Sequence, residues 1–202
     1  MAATEIKNFD SPDEVREFEG KGRAKVVNVA VQGQTFHPGT GACAAALNAA
    51  SGTQSFATQD MPSSSTALYA QGWVYVASHS TIVTLFGLRT PTAQVARVFL
   101  QPNGALSVAN NVDPGHPSYL GNLSVATGSW HEVTFAVDET AGTMKVWLDG
   151  TAVTFNTSTG SISGQNLGST PMTNFQIGDD STQHAYSWYA DDLTVSTVQL
   201  AF

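Results

Sequence analysis

Acidic side chains cluster at one place in the chain where a sugar-cleaving site could form. Glu132, Asp138 and Glu139 lie close together in sequence, and glycosidases cleave sugars with two carboxylates that flank the scissile bond. In a strand, however, Glu132 shares a face with Thr134 and Ala136, whereas Asp138 and Glu139 begin a turn. The spacing therefore indicates a solvated strand residue and a turn pair, and not a glycosidase site.

Other catalytic and metal-binding patterns are absent from the sequence. The five histidines form no close metal pair: they are His37, His79, His116, His131 and His184. There is no Gly-x-Ser-x-Gly elbow and no phosphate-binding loop. The single cysteine, Cys43, excludes an internal disulfide and a cysteine-based zinc site. We therefore expect a protein that is not an enzyme.

Two neighbouring runs of alternating residues predict an antiparallel hairpin. Val133, Phe135 and Val137 share one face of residues 131–137, and Met144, Val146 and Leu148 share one face of residues 144–149, because strand side chains alternate sides. Asp149-Gly150 then predicts a tight turn, since a type I′ turn needs positive φ at both central residues. Trp130, at the start of the first run, is expected to be a core residue.

Similar runs recur throughout the chain after residue 25. They are separated by residues that favour turns, as at Pro102-Asn103-Gly104, and their short spacing is typical of a sandwich or barrel. The sequence predicts an all-β fold of two antiparallel sheets over residues 26–202. No apolar run is long enough for a membrane-spanning helix.

The charges are unevenly distributed along the chain. The net charge is −8, and five of the eight basic residues lie in the first 25 positions. Only Arg89, Arg97 and Lys145 follow. So few cations argue against binding to nucleic acid or to an anionic membrane.

The first 25 residues form a distinct charged segment, predicted to be either a cap on the sandwich or an arm that docks on a protein partner. Ser11 as N-cap, Pro12, Glu14 and a terminating Gly20 predict a short helix within it. The start of the chain lacks the apolar core of a secretory signal. Either the protein is used without export, or a leader has been removed.

Four segments, in order, resemble the laminin-G-like branch of the concanavalin A-like lectin and glucanase superfamily over residues 39–197. They are residues 68–76 (LYAQGWVYV), 128–133 (GSWHEV), 146–150 (VWLDG) and 189–195 (YADDLTV). The resemblance implies a jelly-roll sandwich. Its members range from sugar-binding and adhesion modules to glycan-cleaving enzymes, so that fold does not decide function.

The resemblance also suggests where a sugar or an ion would bind. Exposed aromatic residues stack on sugars in such modules; the candidates here are Tyr119, Trp147, Tyr186 and Trp188, with His116 nearby in sequence. In related lyases Arg, Gln, His and Tyr act together, a role that Arg89, Arg97, Tyr75 and His79 could fill. An Asp of the closing strand often holds a structural calcium, which implies Asp191 or Asp192 with Glu19 as companion; carboxylate oxygens suit Ca²⁺.

Three functions are compatible with these observations. The first is a non-catalytic structural or adhesive module on a large assembly, such as a capsid decoration or tail protein on a virion, docked through residues 1–25 and able to bind a cell-surface glycan. The second is a secreted carbohydrate-binding module. The third is a glycan-active enzyme, either a polysaccharide lyase or a glycosidase. The expected location is a virion or another extracellular surface.

Overall fold

The computed structural model describes residues 4–7, 25–38 and 43–200. These residues form an all-β structure of two antiparallel sheets and contain no helix. The predicted helix after Ser11 lies outside the described residues. None of the described residues forms a helix that could cross a membrane.

The first sheet has eight strands. It contains β1 (Thr4–Lys7), β3 (Val29–Gln32), β4 (Ala44–Ala49), β6 (Ala67–His79), β11 (Trp130–Asp138), β12 (Thr143–Leu148), β13 (Thr151–Ala152) and β15 (Tyr186–Ser196). Their order is β13-β12-β11-β6-β15-β4-β3, and β1 also pairs with β15. The predicted hairpin is confirmed: β11 pairs with β12, and Asp149 and Gly150 between β12 and β13 both have positive φ.

The second sheet has seven strands. It contains β2 (Lys25–Val27), β5 (Ser55–Ser65), β7 (Val83–Arg89), β8 (Gln94–Leu100), β9 (Ala105–Asn110), β10 (Ser118–Ser124) and β14 (Met172–Asp179). Their order is β10-β9-β8-β7-β14-β5-β2. Strands adjacent in space are often distant in sequence, so this sheet assembles residues from the whole chain.

A single apolar core lies between the two sheets. The six hairpin residues predicted to share a face are all buried in it, together with the inward residues of β7, β8 and β14. Full burial of one such aliphatic side chain contributes about 1.5–3 kcal/mol to stability. The core is therefore what holds both sheets, and through them both outer faces, in place.

Trp130 is not a core residue, contrary to the prediction. It pairs with Tyr75 and is only half-buried, because it lies two positions before Glu132 and thus faces outward with it. Its ring packs beside Tyr75, with centroids 5.6 Å apart.

Candidate functional site

A groove indents the outer face of the seven-stranded sheet. Its volume is about 230 Å³, and its lining comes from four strands and two loops: Lys25, Phe56, Thr58, Arg89, Thr90, Pro91, Asn174, Gln176 and Asp180. A second depression, lined by Asp60, Met61 and Thr173, shares Pro91 and Asn174 with it. The two depressions are therefore neighbours along β5, β14 and the end of β7.

Strand alternation explains why these side chains face outward. Ala57 of β5 and Phe175 and Ile177 of β14 are buried in the core. Their neighbours Thr58 and Gln176 therefore point to the opposite face. Apolar burial between the sheets thus positions the polar residues of the groove.

Arg89 lies at the centre of the groove. Its Nη1 donates to Gln176 Oε1 at 2.8 Å and to Asp180 Oδ2 at 3.3 Å. Gln176 is fully buried and donates its Nε2 to the carbonyl of Gly178 at 3.0 Å. The amide of Gln176 is thus fixed at both ends, and it holds the guanidinium of Arg89 in one position.

Lys25 forms one end of the groove. Its Nζ lies 5.0 Å from the centroid of the Phe56 ring, and its backbone N–H donates to Thr58 Oγ1 at 3.2 Å. A cation above an aromatic face is held there by the ring quadrupole. Lys25 is itself exposed and can reach a bound molecule.

Arg97 extends the polar surface to the next strand. Its guanidinium lies 5.2 Å from the centroid of Phe99, and its Nη1 donates to Thr84 Oγ1 at 3.3 Å. Thr84 Oγ1 donates in turn to the buried Asp179, whose Oδ2 lies 2.8 Å from His184 Nδ1. These contacts fix Arg97 on the outer face of β8.

Gly87 lies between Gln176 and Arg97 in the sheet. A Cβ at Gly87 would lie 2.6 Å from Nε2 of Gln94, so that any side chain here would displace that amide. The glycine thus leaves room for the side-chain amide of Gln94, which lies over this position. The surface offers cationic and amide donors, hydroxyl groups and carboxylate acceptors, which is the set needed to bind a polar or anionic molecule.

The aromatic residues predicted to stack on sugars are not assembled into one site. Tyr186 and Trp188 lie in the core, with exposures of 5% and 0%, so neither ring is available to a sugar and this prediction is wrong for both. The hydroxyl of Tyr186 donates to the carbonyl of Ser55, and burial raises the pKa of this phenol.

The other two candidates are half-buried and distant from the groove. Tyr119 lies on the edge strand β10 and donates its hydroxyl to Gln165 Oε1 at 2.7 Å. Trp147 lies on the outer face of the eight-stranded sheet, opposite Thr134. His116 lies in the exposed loop before β10.

The aspartates predicted to hold calcium face hydrogen-bond donors. Asp191 is fully buried; its Oδ2 accepts from the backbone N–H of His37 and its Oδ1 from that of Asp192. Asp192 Oδ2 lies 3.1 Å from His37 Nδ1. Glu19 lies outside the described residues. The described residues contain no cluster of three or more potential metal ligands. The calcium site at Asp191 or Asp192 with Glu19 stays a prediction.

The residues considered for catalysis are separated. Arg89 and Arg97 lie on the seven-stranded sheet, whereas Tyr75 lies on the outer face of the other sheet, so this lyase set is not brought together. Glu132 is half-buried on that same outer face, and burial raises its pKa even though Gln71 hydrogen-bonds to it. Glu139 is buried at a turn.

One serine, one histidine and one aspartate form a hydrogen-bonded chain that the sequence analysis did not predict. Ser129 Oγ lies 2.9 Å from His131 Nε2, and Asp149 Oδ2 lies 2.7 Å from His131 Nδ1. The order matches that of a catalytic triad. Asp149, however, is 48% exposed and also accepts the backbone N–H of Glu132. We assign this chain of contacts a structural role, that of tying the Asp-Gly turn to β11.

The groove could not be identified from local sequence patterns. Its residues Lys25, Thr58, Arg89 and Gln176 belong to four different strands. The one available signal was that a polar residue interrupts an otherwise apolar strand, as Gln176 does in β14 and Arg97 does in β8. A polar residue of this kind indicates which face of its strand is the outer one, but it does not indicate which strands are neighbours in the sheet.

Solved structures of the same fold come from proteins of several kinds. No family and no curated protein matches the sequence. The cellulose-induced protein Cip1 has a TM-score of 0.67 at 12% identity, over 99% of this chain and 94% of its own. The endo-β-1,4-glucuronan lyase of the fungus Trichoderma reesei has a TM-score of 0.57 at 13% identity, over 88% of this chain and 89% of its own.

A bacteriophage protein shares the fold as well. The carbohydrate esterase of the Shiga toxin-encoding bacteriophage phi24B has a TM-score of 0.63 at 12% identity, over 96% of this chain and 100% of its own. At these identities the likeness demonstrates a shared β-sandwich fold alone.

Proposed function

We propose that this chain is a non-catalytic glycan-binding module, and that the glycan occupies the groove on the seven-stranded sheet. The observation that carries the proposal is the fixed group of Arg89, Gln176 and Asp180, with hydroxyl and amide side chains on both sides. A sugar presents many hydroxyl groups, and a site for it needs donors and acceptors held in place before binding.

The solved structures of similar fold support a carbohydrate ligand. They include a glucuronan lyase and a carbohydrate esterase. The proposal that this chain does not cleave its ligand rests on the separation of its Arg, Tyr and Glu residues between the two outer faces.

We further propose that the module is displayed on a large assembly such as a virion surface. Two observations support this: the phage protein of similar fold, and the concentration of 11 of the 24 charged residues in the first 25 positions. Electron microscopy of native particles labelled with an antibody to this chain tests the idea. Regular labelling of the particle surface is expected, and a chain found only free in the medium would favour a secreted module instead.

Blocking the groove tests the glycan site. Thr58→Trp fills the hollow between Lys25 and Gln176 and is expected to weaken binding at least tenfold, a loss of about 1.4 kcal/mol. Binding is measured on a glycan array and then by calorimetry with the best glycan. Trp147→Ala, on the opposite outer face, is the matched control and is expected to bind as the wild type does.

The same preparations decide between the alternatives. Loss of binding in Trp147→Ala but not in Thr58→Trp would place the ligand on the other sheet and overturn the groove. Absence of any glycan binding by the folded wild type would overturn the proposed function. Release of shorter or unsaturated sugars from a bound polysaccharide would show that the chain is an enzyme.

A further inference from the structure

Five residues on the outer face of the seven-stranded sheet form one straight row across the strands. Lys25 pairs with Thr58, Thr58 with Gln176, Gln176 with Gly87, and Gly87 with Arg97. The row covers four inter-strand spacings, about 19 Å at roughly 4.8 Å each. It thus has the length of an extended ligand rather than of a single small molecule.

The cations of the chain are concentrated along this row. From residue 25 onward the sequence has four cationic side chains, namely Lys25, Arg89, Arg97 and Lys145. Lys25 and Arg97 occupy the two ends of the row. Arg89 lies two residues after Gly87 on β7, and therefore on the same face of the sheet as the row. The chain has twice as many acidic as basic residues, so its overall charge disfavours an anionic ligand, whereas the cations along this row favour one.

The cationic groups keep donors for a ligand. Within the described residues, both side-chain contacts of Arg89 use Nη1, although a guanidinium carries five N–H donors. The contact of Arg97 with Thr84 Oγ1 likewise uses Nη1, one of the five N–H donors of that guanidinium. Lys25 contacts the Phe56 ring and is exposed.

We propose that the ligand is a carboxylated glycan that lies across the strands, with its carboxylates at Lys25, Arg89 and Arg97. This inference rests on the proposed function and names its ligand class. Arginine binds carboxylates through paired N–H donors, and three separate cations suit a polymer with repeated carboxylates better than one terminal acidic sugar.

The experiment compares a polyuronate with the same polymer after its carboxyl groups have been reduced to alcohols. We expect the reduced polymer to bind at least tenfold more weakly, and binding of the polyuronate to weaken as salt concentration rises. A sialylated trisaccharide, which carries one carboxylate, is the third ligand and is expected to bind more weakly than the polyuronate.

Charge-removing variants locate the contacts. Lys25→Gln, Arg89→Gln and Arg97→Gln are each expected to weaken polyuronate binding about five- to tenfold, as for a lost charged hydrogen bond. Lys145→Gln makes the same change in charge on β12, in the other sheet, and is expected to leave binding unchanged. Arg97→Lys keeps the charge and is expected to bind more tightly than Arg97→Gln if both variants fold.

Each outcome bears on the inference separately from the proposed function. Equal binding of the native and reduced polymers would overturn the carboxylate inference and leave glycan binding intact. Equal binding of the trisaccharide and the polymer, with only Arg89→Gln defective, would overturn the extended ligand. Equal losses in Lys145→Gln and in the variants of Lys25, Arg89 and Arg97 would show a general charge effect and overturn the row. Failure of all three ligands, alongside a blank glycan array, would remove the proposed function itself.

Discussion

At the scale of single residues, the carboxyl group of Glu139 has a strongly raised pKa. The residue is 7% exposed, and neither carboxylate oxygen has a hydrogen-bond partner within the described residues. Its backbone N–H donates to the carbonyl of Thr66 at 2.8 Å. Burial, and secondly the charge of Asp138, raise the pKa of Glu139 to about 7.

This raised pKa makes stability depend on pH in a defined direction. Below its ordinary value of 4.5 the carboxyl is protonated in both the folded and the unfolded chain. Between 4.5 and about 7 the unfolded chain releases a proton that the folded chain keeps, so the free energy of unfolding falls as pH rises. Above about 7 the destabilisation is complete.

Glu139→Gln is therefore expected to stabilise the protein at pH 8 by roughly 2–3 kcal/mol and to have little effect at pH 4. Urea denaturation of both proteins at several pH values between 4 and 8 measures this difference. A wild type and variant whose unfolding free energies change in parallel with pH would show that Glu139 is not the group responsible.

At the scale of the structural elements, the side chain of Asp149 links the β12–β13 turn to β11. Asp149 has φ of 49°, a left-handed conformation that few residues other than glycine, asparagine and aspartate adopt. Its carboxylate contacts His131 Nδ1 and the backbone N–H of Glu132. Asp149 thus joins the end of β12 and the turn that follows it to the start of β11.

Asp149→Ala removes both hydrogen bonds and places alanine at a positive φ. We expect it to lower the free energy of unfolding by about 2–3 kcal/mol. Asp149→Asn is the matched control, because asparagine tolerates this φ and keeps an acceptor oxygen, and it is expected to cost less than about 1 kcal/mol. Equal effects of the two substitutions in urea denaturation would contradict the account.

At the scale of the whole molecule, the sandwich includes residues close to the start of the chain. Residues 4–7 form β1, which pairs with Leu193–Ser196 of β15 over four residues. Strand β15 is central in its sheet, since it also pairs with β4 and β6. This part of the segment predicted to be a cap or docking arm is therefore built into a sheet.

Removal of residues 1–7 is expected to lower the free energy of unfolding by a few kcal/mol, at about 1 kcal/mol for each backbone hydrogen bond lost. Removal of residues 1–3 alone leaves β1 in place and serves as the control. Thermal melts of both proteins measure the difference. Identical midpoints would show that β1 contributes nothing to the stability of the sandwich.

Local sequence patterns predicted the elements of this protein well. Alternation assigned the hairpin residues to their faces correctly, because side-chain direction along a strand follows from backbone geometry alone. Asp149-Gly150 marked a turn for an equally local reason, the need for positive φ.

Only the tertiary structure decided which face is buried and which residues meet. Tyr186 and Trp188 were predicted to be exposed, but they share a face of β15 that meets the other sheet and not the solvent. Lys25, Gln176 and Arg97 come together because strand order and register bring distant segments into one row. Alternation in the sequence is a property of each strand alone, whereas a site across strands depends on long-range pairing, which no local pattern encodes.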